Sequence, residues 1–183
     1  MVVRARVGVL VCLVVLLGAC SVGRAPSGRP GAPAATSADS LASAEVYAAL
    51  RLYYARITAR DWKSLALSFW PRVTVTTIQH GVSGAPGAGE VETSPIEALI
   101  SRAAAMKDCP VSMSTEMIRA TVETYGPLAD AWVTYRAHCG VARDSVTTHY
   151  GIDAIHLMKH RGEWRIAGLT FTHEIPGAPL GRP

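Results

Sequence analysis

Apolar residues recur at a helical period before residue 110 and alternate with polar residues after it. The clearest helical stripe has spacings of four, three and four and consists of Val46, Leu50, Tyr53 and Ile57. It predicts an amphipathic helix that Ser43 caps and Arg60 ends. Asp61 can cap a second, shorter helix, which Pro71 stops. The domain is therefore predicted to begin with two helices.

Strands dominate the remainder of the chain. Residues 73–78 are all β-branched and predict a strand. A glycine-rich loop at 81–89 follows, and Ser94-Pro95 predicts the cap and first position of a third helix. Two long hairpins complete the pattern, 113–125 with 129–139 and 147–159 with 164–174. This order predicts an α+β fold with three helices on the concave face of a strongly curved antiparallel sheet.

Polar residues of the two hairpins form one candidate pocket. Pairing across the Arg-Gly turn of the second hairpin places Asp153 opposite Thr170. The same register places His149 opposite Glu174. Alternation directs these residues inward, together with Tyr135 of the neighbouring hairpin. We therefore expect all five to line a pocket.

These side chains allow two interpretations. A carboxylate such as Asp153 in an apolar pocket has a raised pKa and suits proton abstraction beside a carbonyl, with His149 as the other candidate base. The Tyr135 hydroxyl can stabilise the oxyanion that forms. Alternatively, Asp153 and Thr170 form an ordinary cross-strand hydrogen bond. His149 and Glu174 are then an exposed ion pair near a strand end.

The N-terminal residues have the pattern of a secretory signal. Arg4 and Arg6 precede an apolar run that ends in Leu17-Gly-Ala-Cys20, and this ending resembles a bacterial lipobox. The run is shorter than the roughly 17–25 residues of a spanning helix, which favours a cleaved signal over an uncleaved anchor. Cys20 is therefore predicted to carry lipid and to tether the protein to the extracytoplasmic face of a bacterial membrane, in the cell envelope.

Composition divides the chain into four segments. They are a signal peptide at 1–19, a flexible tether at 20–39, one domain at 40–175 and a disordered tail at 176–183. Export to an oxidising compartment predicts a disulfide between Cys109 and Cys139. Two separate buried thiols are the alternative.

Charge and histidine spacing exclude two classes of partner. Of 18 Lys and Arg, 13 lie in the domain, where 13 Asp and Glu balance them. A neutral domain without a basic stripe argues against nucleic acid as a partner. His156 and His160 share a strand face but lie about 13 Å apart, too far to hold one metal ion. We predict no metal and no cofactor.

Three passages make the domain resemble the nuclear transport factor 2-like superfamily and its SnoaL-like branch. They are Tyr54-Ala-Arg-Ile-Thr-Ala-Arg-Asp-Trp62, Ala131-Trp-Val-Thr-Tyr-Arg136 and Gly162-Glu-Trp-Arg-Ile166. The resemblance covers nearly the whole domain, residues 41–174. The resemblance implies a cone, in which a bent sheet wraps a pocket that the first helices close.

The resemblance leaves the chemistry open, because the superfamily includes ketosteroid isomerase, polyketide cyclases, scytalone dehydratase and non-catalytic binding or oligomerisation domains. The isomerase-type base lies just after the second helix, where residues 69–75 contain no carboxylate. Some SnoaL-like proteins carry a His shortly after the last-strand Trp-x-Ile, and here His173 lies slightly beyond that position. Neither known mechanism carries over directly.

We therefore expect a membrane-tethered domain that binds a small apolar or amphipathic ligand, or an envelope protein, without catalysis. The alternative is an exported isomerase, cyclase or dehydratase that uses Asp153 or His149 as its base. A homodimer that pairs through the open face of the sheet is a third interpretation.

Overall fold

Three helices and six strands make up the part of the chain that the computed structural model describes, residues 37–79, 89–105, 112–140, 146–175 and 180. The helices are α1 (Ser37–Thr58), α2 (Trp62–Ala66) and α3 (Ile96–Ala105). The strands are β1 (Thr74–Gln79), β2 (Glu90–Pro95), β3 (Ser112–Tyr125), β4 (Leu128–Gly140), β5 (Thr147–His160) and β6 (Glu163–His173). The predicted α+β class with a curved sheet is confirmed.

The six strands form one sheet in the order β2-β1-β6-β5-β4-β3. The last four strands pair antiparallel in chain order, as the two predicted hairpins require. β1 instead joins β6 in parallel, so the sheet is mixed. The segment after α2 extends this pairing, because Phe69 bridges Ile166 and the Trp70 N–H donates to the Ile166 carbonyl at 2.9 Å. The early, helical half of the chain is thus attached to the last strand.

Helix α1 begins earlier than the sequence predicted. It starts at Ser37, so residues 37–39 of the predicted tether belong to it, and Ser43 lies inside the helix instead of capping it. The predicted apolar stripe does face the core, with Val46 and Leu50 fully buried. Helix α1 therefore covers the core with this stripe, and most of its stability comes from that packing.

The predicted start of α2 is correct, and the predicted start of α3 is wrong. The Asp61 carboxylate caps α2 as predicted and accepts a hydrogen bond from the Ser64 N–H at 3.1 Å. Ser94 and Pro95 do not start α3, because they end β2, which pairs antiparallel with β1 from Glu90 onwards. Helix α3 therefore begins one residue later, at Ile96.

A polar contact fixes α1 to the last hairpin. The Glu45 carboxylate accepts hydrogen bonds from the Lys159 ammonium and, at 2.9 Å, from the Trp164 indole N–H. The Lys159 contact is the main reason that the pKa of Glu45 lies below its usual value. Helix α1 is therefore held over the sheet by a charged contact as well as by its apolar face.

Several predictions lie outside the described residues. The signal peptide and Cys20 precede residue 37, nearly all of the glycine-rich loop falls at 80–88, and Cys109 falls at 106–111. Cys139 lies near the end of β4. The disulfide between the two therefore stays a prediction. Within the described ranges no helix has the length and hydropathy needed to cross a membrane.

Candidate functional site

A β-bulge in the last hairpin decides which residues of β6 face the core. Near the turn Leu157 pairs with Ile166, as predicted. His156 pairs with Gly168, so Ala167 is an extra residue in β6. Beyond this bulge the register is shifted by one residue, which exchanges the two faces of the strand.

The predicted pairing of Asp153 with Thr170 is wrong because of this bulge. Asp153 pairs with Phe171, and Thr170 instead pairs with Ala154 and is exposed. The inward residues of β6 after the bulge are accordingly Leu169, Phe171 and His173, which line the cavity described below. Thr170 does not belong to that group.

The predicted pairing of His149 with Glu174 is also wrong. The Glu174 N–H donates to the Tyr150 carbonyl at 2.8 Å, one residue away from the expected position. The Glu174 carboxylate accepts a hydrogen bond from the Leu180 N–H at 2.9 Å. His149 is exposed, with Nε2 at 2.9 Å from the Thr147 hydroxyl. Neither side chain lines the cavity.

Asp153 and Tyr135 lie in the wall of one apolar cavity between the helices and the sheet. Its volume is about 250 Å³. Most of the side chains that line it are aromatic or aliphatic, among them Tyr53, Trp62, Phe69, Ile100, Leu169 and Phe171. A cavity of this kind, apolar with a few polar groups, is the usual form of a small-molecule site.

Asp153 is the buried charged residue of this cavity. It is 5% exposed, and the Tyr54 hydroxyl donates a hydrogen bond of 2.6 Å to its Oδ2. Burial raises the pKa of Asp153 to about 7, and the Tyr54 hydrogen bond opposes part of that rise. Both protonation states are therefore populated near neutral pH, so the carboxyl group can accept or donate a proton there.

Tyr135 and His173 form a second polar pair. The Tyr135 hydroxyl oxygen lies 3.0 Å from His173 Nδ1. Tyr135 is buried, whereas His173 is the last residue of β6 and is exposed, so the pair extends from the interior to the mouth of the cavity. Burial raises the pKa of the Tyr135 hydroxyl, which therefore keeps its proton and its capacity to donate.

Sequence reasoning did not assign Tyr54 and His173 to the site. Tyr54 follows Tyr53 of the apolar stripe, and no local signal distinguishes a tyrosine that packs from one that bonds a carboxylate on β5. His173 had a usable signal, since the family resemblance places a His near this point of the last strand. Only the bulge brings it to the inner face.

Comparison with known proteins supports the fold. No protein-family model and no curated protein matches the sequence. The structure is similar to a candidate scytalone dehydratase from Novosphingobium aromaticivorans, with a TM-score of 0.58 and 12% identity over 74% of this chain and 85% of that one. It is also similar to a nuclear transport factor 2-like protein of unknown function from Shewanella baltica, with a TM-score of 0.54 and 14% identity over 76% and 98% of the two chains.

A third similar structure is the β subunit of a candidate aromatic-ring-hydroxylating dioxygenase from Novosphingobium aromaticivorans. Its TM-score is 0.59, with 13% identity over 74% of this chain and 90% of that chain. The domain therefore has the fold of nuclear transport factor 2-like proteins, as the sequence passages indicated. At these identities the similarity extends to the fold alone.

Tyr54→Phe is expected to raise the pKa of Asp153 above about 7, because the Tyr54 hydrogen bond favours the ionised carboxylate. Losing a partner of a buried carboxyl group should also lower the free energy of unfolding by about 1–3 kcal/mol. Carbon-13 NMR of the Asp153 carboxyl carbon against pH measures the first effect. Tyr47→Phe is the matched control, since the Tyr47 hydroxyl bonds the Ala120 carbonyl. If the pKa of Asp153 is unchanged in Tyr54→Phe, the Tyr54 hydroxyl does not hydrogen-bond the ionised Asp153 carboxylate.

Proposed function

We propose that the domain binds a small, mostly apolar molecule with a hydroxyl or carbonyl group that contacts Asp153 and Tyr54. The observation that carries this proposal is the position of Asp153, 5% exposed in an aromatic cavity wall. A buried carboxyl group is destabilising unless its hydrogen-bonding capacity is met. Tyr54 meets part of it, and a polar group of the ligand meets more. The surrounding rings bind the apolar body of the ligand.

Proton transfer is a second function that the same cavity supports. A carboxyl group with a pKa of about 7 can remove a proton beside a carbonyl and return it at another position, or assist loss of water. The protonated Tyr135 hydroxyl would donate to the oxygen that gains charge. The structural similarity to a candidate scytalone dehydratase supports this alternative. His149 has no part in it, because it lies outside the cavity.

Binding of 2-naphthol tests the proposal, with naphthalene as the matched compound that lacks the hydroxyl. The 2-naphthol hydroxyl should donate to ionised Asp153, so its affinity should rise as the pH passes through about 7. Naphthalene should show no such rise. Isothermal titration calorimetry at several pH values measures both.

Two variants decide the interpretation of that titration. Asp153→Asn should abolish the pH dependence, whereas Glu123→Gln, at an exposed position outside the cavity, should leave it unchanged. If 2-naphthol fails to bind, or binds equally at every pH, the proposal is wrong. The proton-transfer alternative gains support from a different result. In that case Asp153→Asn still binds 2-naphthol, but only the wild type turns over a carbonyl compound found by screening.

We further propose that the domain is exported and lipid-anchored through Cys20. The support is the basic, apolar and Leu-Gly-Ala-Cys sequence at the N terminus. In a bacterial host, the wild type should incorporate labelled fatty acid and partition with membranes. Cys20→Ala should not incorporate the label and should keep its signal segment. Equal labelling of both proteins would refute the anchor.

Association with an envelope protein or a second copy is a proposal supported by the outer face of the sheet. Trp132 lies in the middle of β4 and is 60% exposed there. One structurally similar protein is the β subunit of a candidate aromatic-ring-hydroxylating dioxygenase. A large exposed aromatic side chain on an open sheet is typical of an interaction surface.

A further inference from the structure

The Tyr135 side chain reaches across a whole strand to its partner. Tyr135 on β4 pairs with Gly151 on β5, and Gly151 pairs in turn with His173 on β6. Strands β4 and β6 lie on either side of β5 and are therefore about 9.5 Å apart. The Tyr135 hydroxyl nevertheless lies 3.0 Å from His173 Nδ1. The phenol ring must therefore lie over β5.

Glycine at position 151 leaves the space that the ring occupies. A Cβ atom at this position would overlap the Tyr135 ring carbon Cζ and its hydroxyl oxygen. It would also lie 2.6 Å from the Thr172 carbonyl oxygen. Any side chain at 151 therefore displaces the phenol from its place over the strand. The absent side chain and the His173 imidazole together define the position of the Tyr135 hydroxyl.

The Tyr135 hydroxyl and Asp153 lie on the same face of β5, at neighbouring positions of that face. Gly151 and Asp153 are two residues apart on the same face of β5, which separates them by about 6.7 Å. The hydroxyl lies where the side chain of residue 151 would begin. Two polar groups, the Asp153 carboxyl and the Tyr135 hydroxyl, are thus spaced along one wall of a mostly apolar cavity.

We propose that Gly151 and His173 are positioning residues that hold the Tyr135 hydroxyl in place as a second polar contact for the ligand. The ligand then carries two oxygen functions, one bound at Asp153 and one at Tyr135. This inference rests on the proposed binding function. A hydroxyl group has one donor and two acceptor sites, so Tyr135 bonds His173 and still has capacity for a ligand. The ligand class is a small cyclic diol, hydroxyketone or diketone whose oxygens lie across the ring system.

The inference predicts that a second hydroxyl on a naphthol probe increases affinity. The probes are 2-naphthol, 1,3-dihydroxynaphthalene and 2,6-dihydroxynaphthalene, and the two diols place the second hydroxyl at a shorter and a longer distance. Calorimetry should show one diol binding the wild type about threefold to tenfold more tightly than 2-naphthol, as for one neutral hydrogen bond. Tyr135→Phe should lose this advantage and still bind 2-naphthol.

Variants of the positioning residues test how the hydroxyl is held. Gly151→Ala and His173→Leu should each lose the diol advantage although Tyr135 is intact. His173→Gln should restore part of it, because a Gln amide can still bond the hydroxyl. A residue that only stabilised the fold would not show this rescue. His149→Leu, on the same strand as Gly151 but outside the cavity, is the matched control and should keep the full advantage.

The outcomes separate this inference from the function on which it rests. If the wild type binds none of the three probes, the proposed function fails and the second contact fails with it. If it binds 2-naphthol but favours neither diol, or if Tyr135→Phe keeps the advantage, only the second contact is overturned. The Cβ of Gly151→Ala also approaches the Thr172 carbonyl. Should that variant not fold, Tyr135→Phe and the two His173 variants decide the question.

Discussion

Asp153→Asn is expected to stabilise the protein relative to the wild type by an amount that grows by about 3 kcal/mol between pH 4 and pH 7. The reason is the difference between the folded-state pKa of about 7 and the usual value of 3.8. Asn has nearly the shape of Asp and can accept the Tyr54 hydrogen bond. It does not ionise, so it has no pH-dependent penalty for burial.

The direction of this effect follows from proton binding. In the unfolded chain Asp153 ionises near its usual pKa, whereas in the folded protein it stays protonated up to about pH 7. Between these values the folded state binds more protons, so raising the pH favours unfolding. The stability that this group contributes is complete below about pH 4 and is lost as the pH rises through 7.

Urea unfolding of the wild type and Asp153→Asn, from about pH 4 to about pH 8, measures the difference. Glu123→Gln is the control, because it removes an exposed carboxylate and should shift stability by a small, nearly constant amount. A difference between Asp153→Asn and wild type that stays flat over this range would mean that Asp153 ionises as an ordinary surface carboxylate.

Leu50→Ala should lower the free energy of unfolding by about 2–5 kcal/mol, because it leaves a cavity beneath α1. Leu50 is fully buried against the sheet. Leu52→Ala is the matched control on the same helix, since Leu52 is 49% exposed and its truncation should cost less than about 1 kcal/mol.

The Leu50 substitution should also weaken the candidate site. Tyr53 and Tyr54 lie three and four residues further along α1, on the turn that covers Asp153. Looser packing of this helix should reduce 2-naphthol affinity in Leu50→Ala and not in Leu52→Ala. Urea unfolding and calorimetry on the same samples measure both quantities. Equal losses in the two variants would show that α1 is not anchored through Leu50.

The sequence predicted element types well because the helical and alternating periods come from burial on one face. The prediction failed at segments whose structure depends on the strand with which they pair. β2 was missed because Ser94 and Pro95 suit a helix start as well as the end of an edge strand, and only its pairing with β1 settles the choice.

The inward face of β6 was predicted correctly up to Ile166 and wrongly beyond it. The sequence does contain a signal of the bulge, because the apolar spacing changes from two to three between Ile166 and Leu169, beside Gly168. Strict alternation of inward and outward residues through Ala167 predicts Thr170 in the pocket, and the bulge breaks that alternation. Asp153 and Tyr135 were placed on the inner faces of β5 and β4 because those strands alternate without interruption there.

The parallel contact between β1 and β6 makes the order of strand pairing differ from the order of synthesis. Strands β3 to β6 form a meander in which each strand pairs with the next one in the chain, whereas β1 pairs with a strand that is made about a hundred residues later. Such non-local pairing is slow and comes late. A nascent chain that has not reached Trp164 and Ile166 therefore lacks the strand beside which Phe69 and β1 lie, and its core is incomplete.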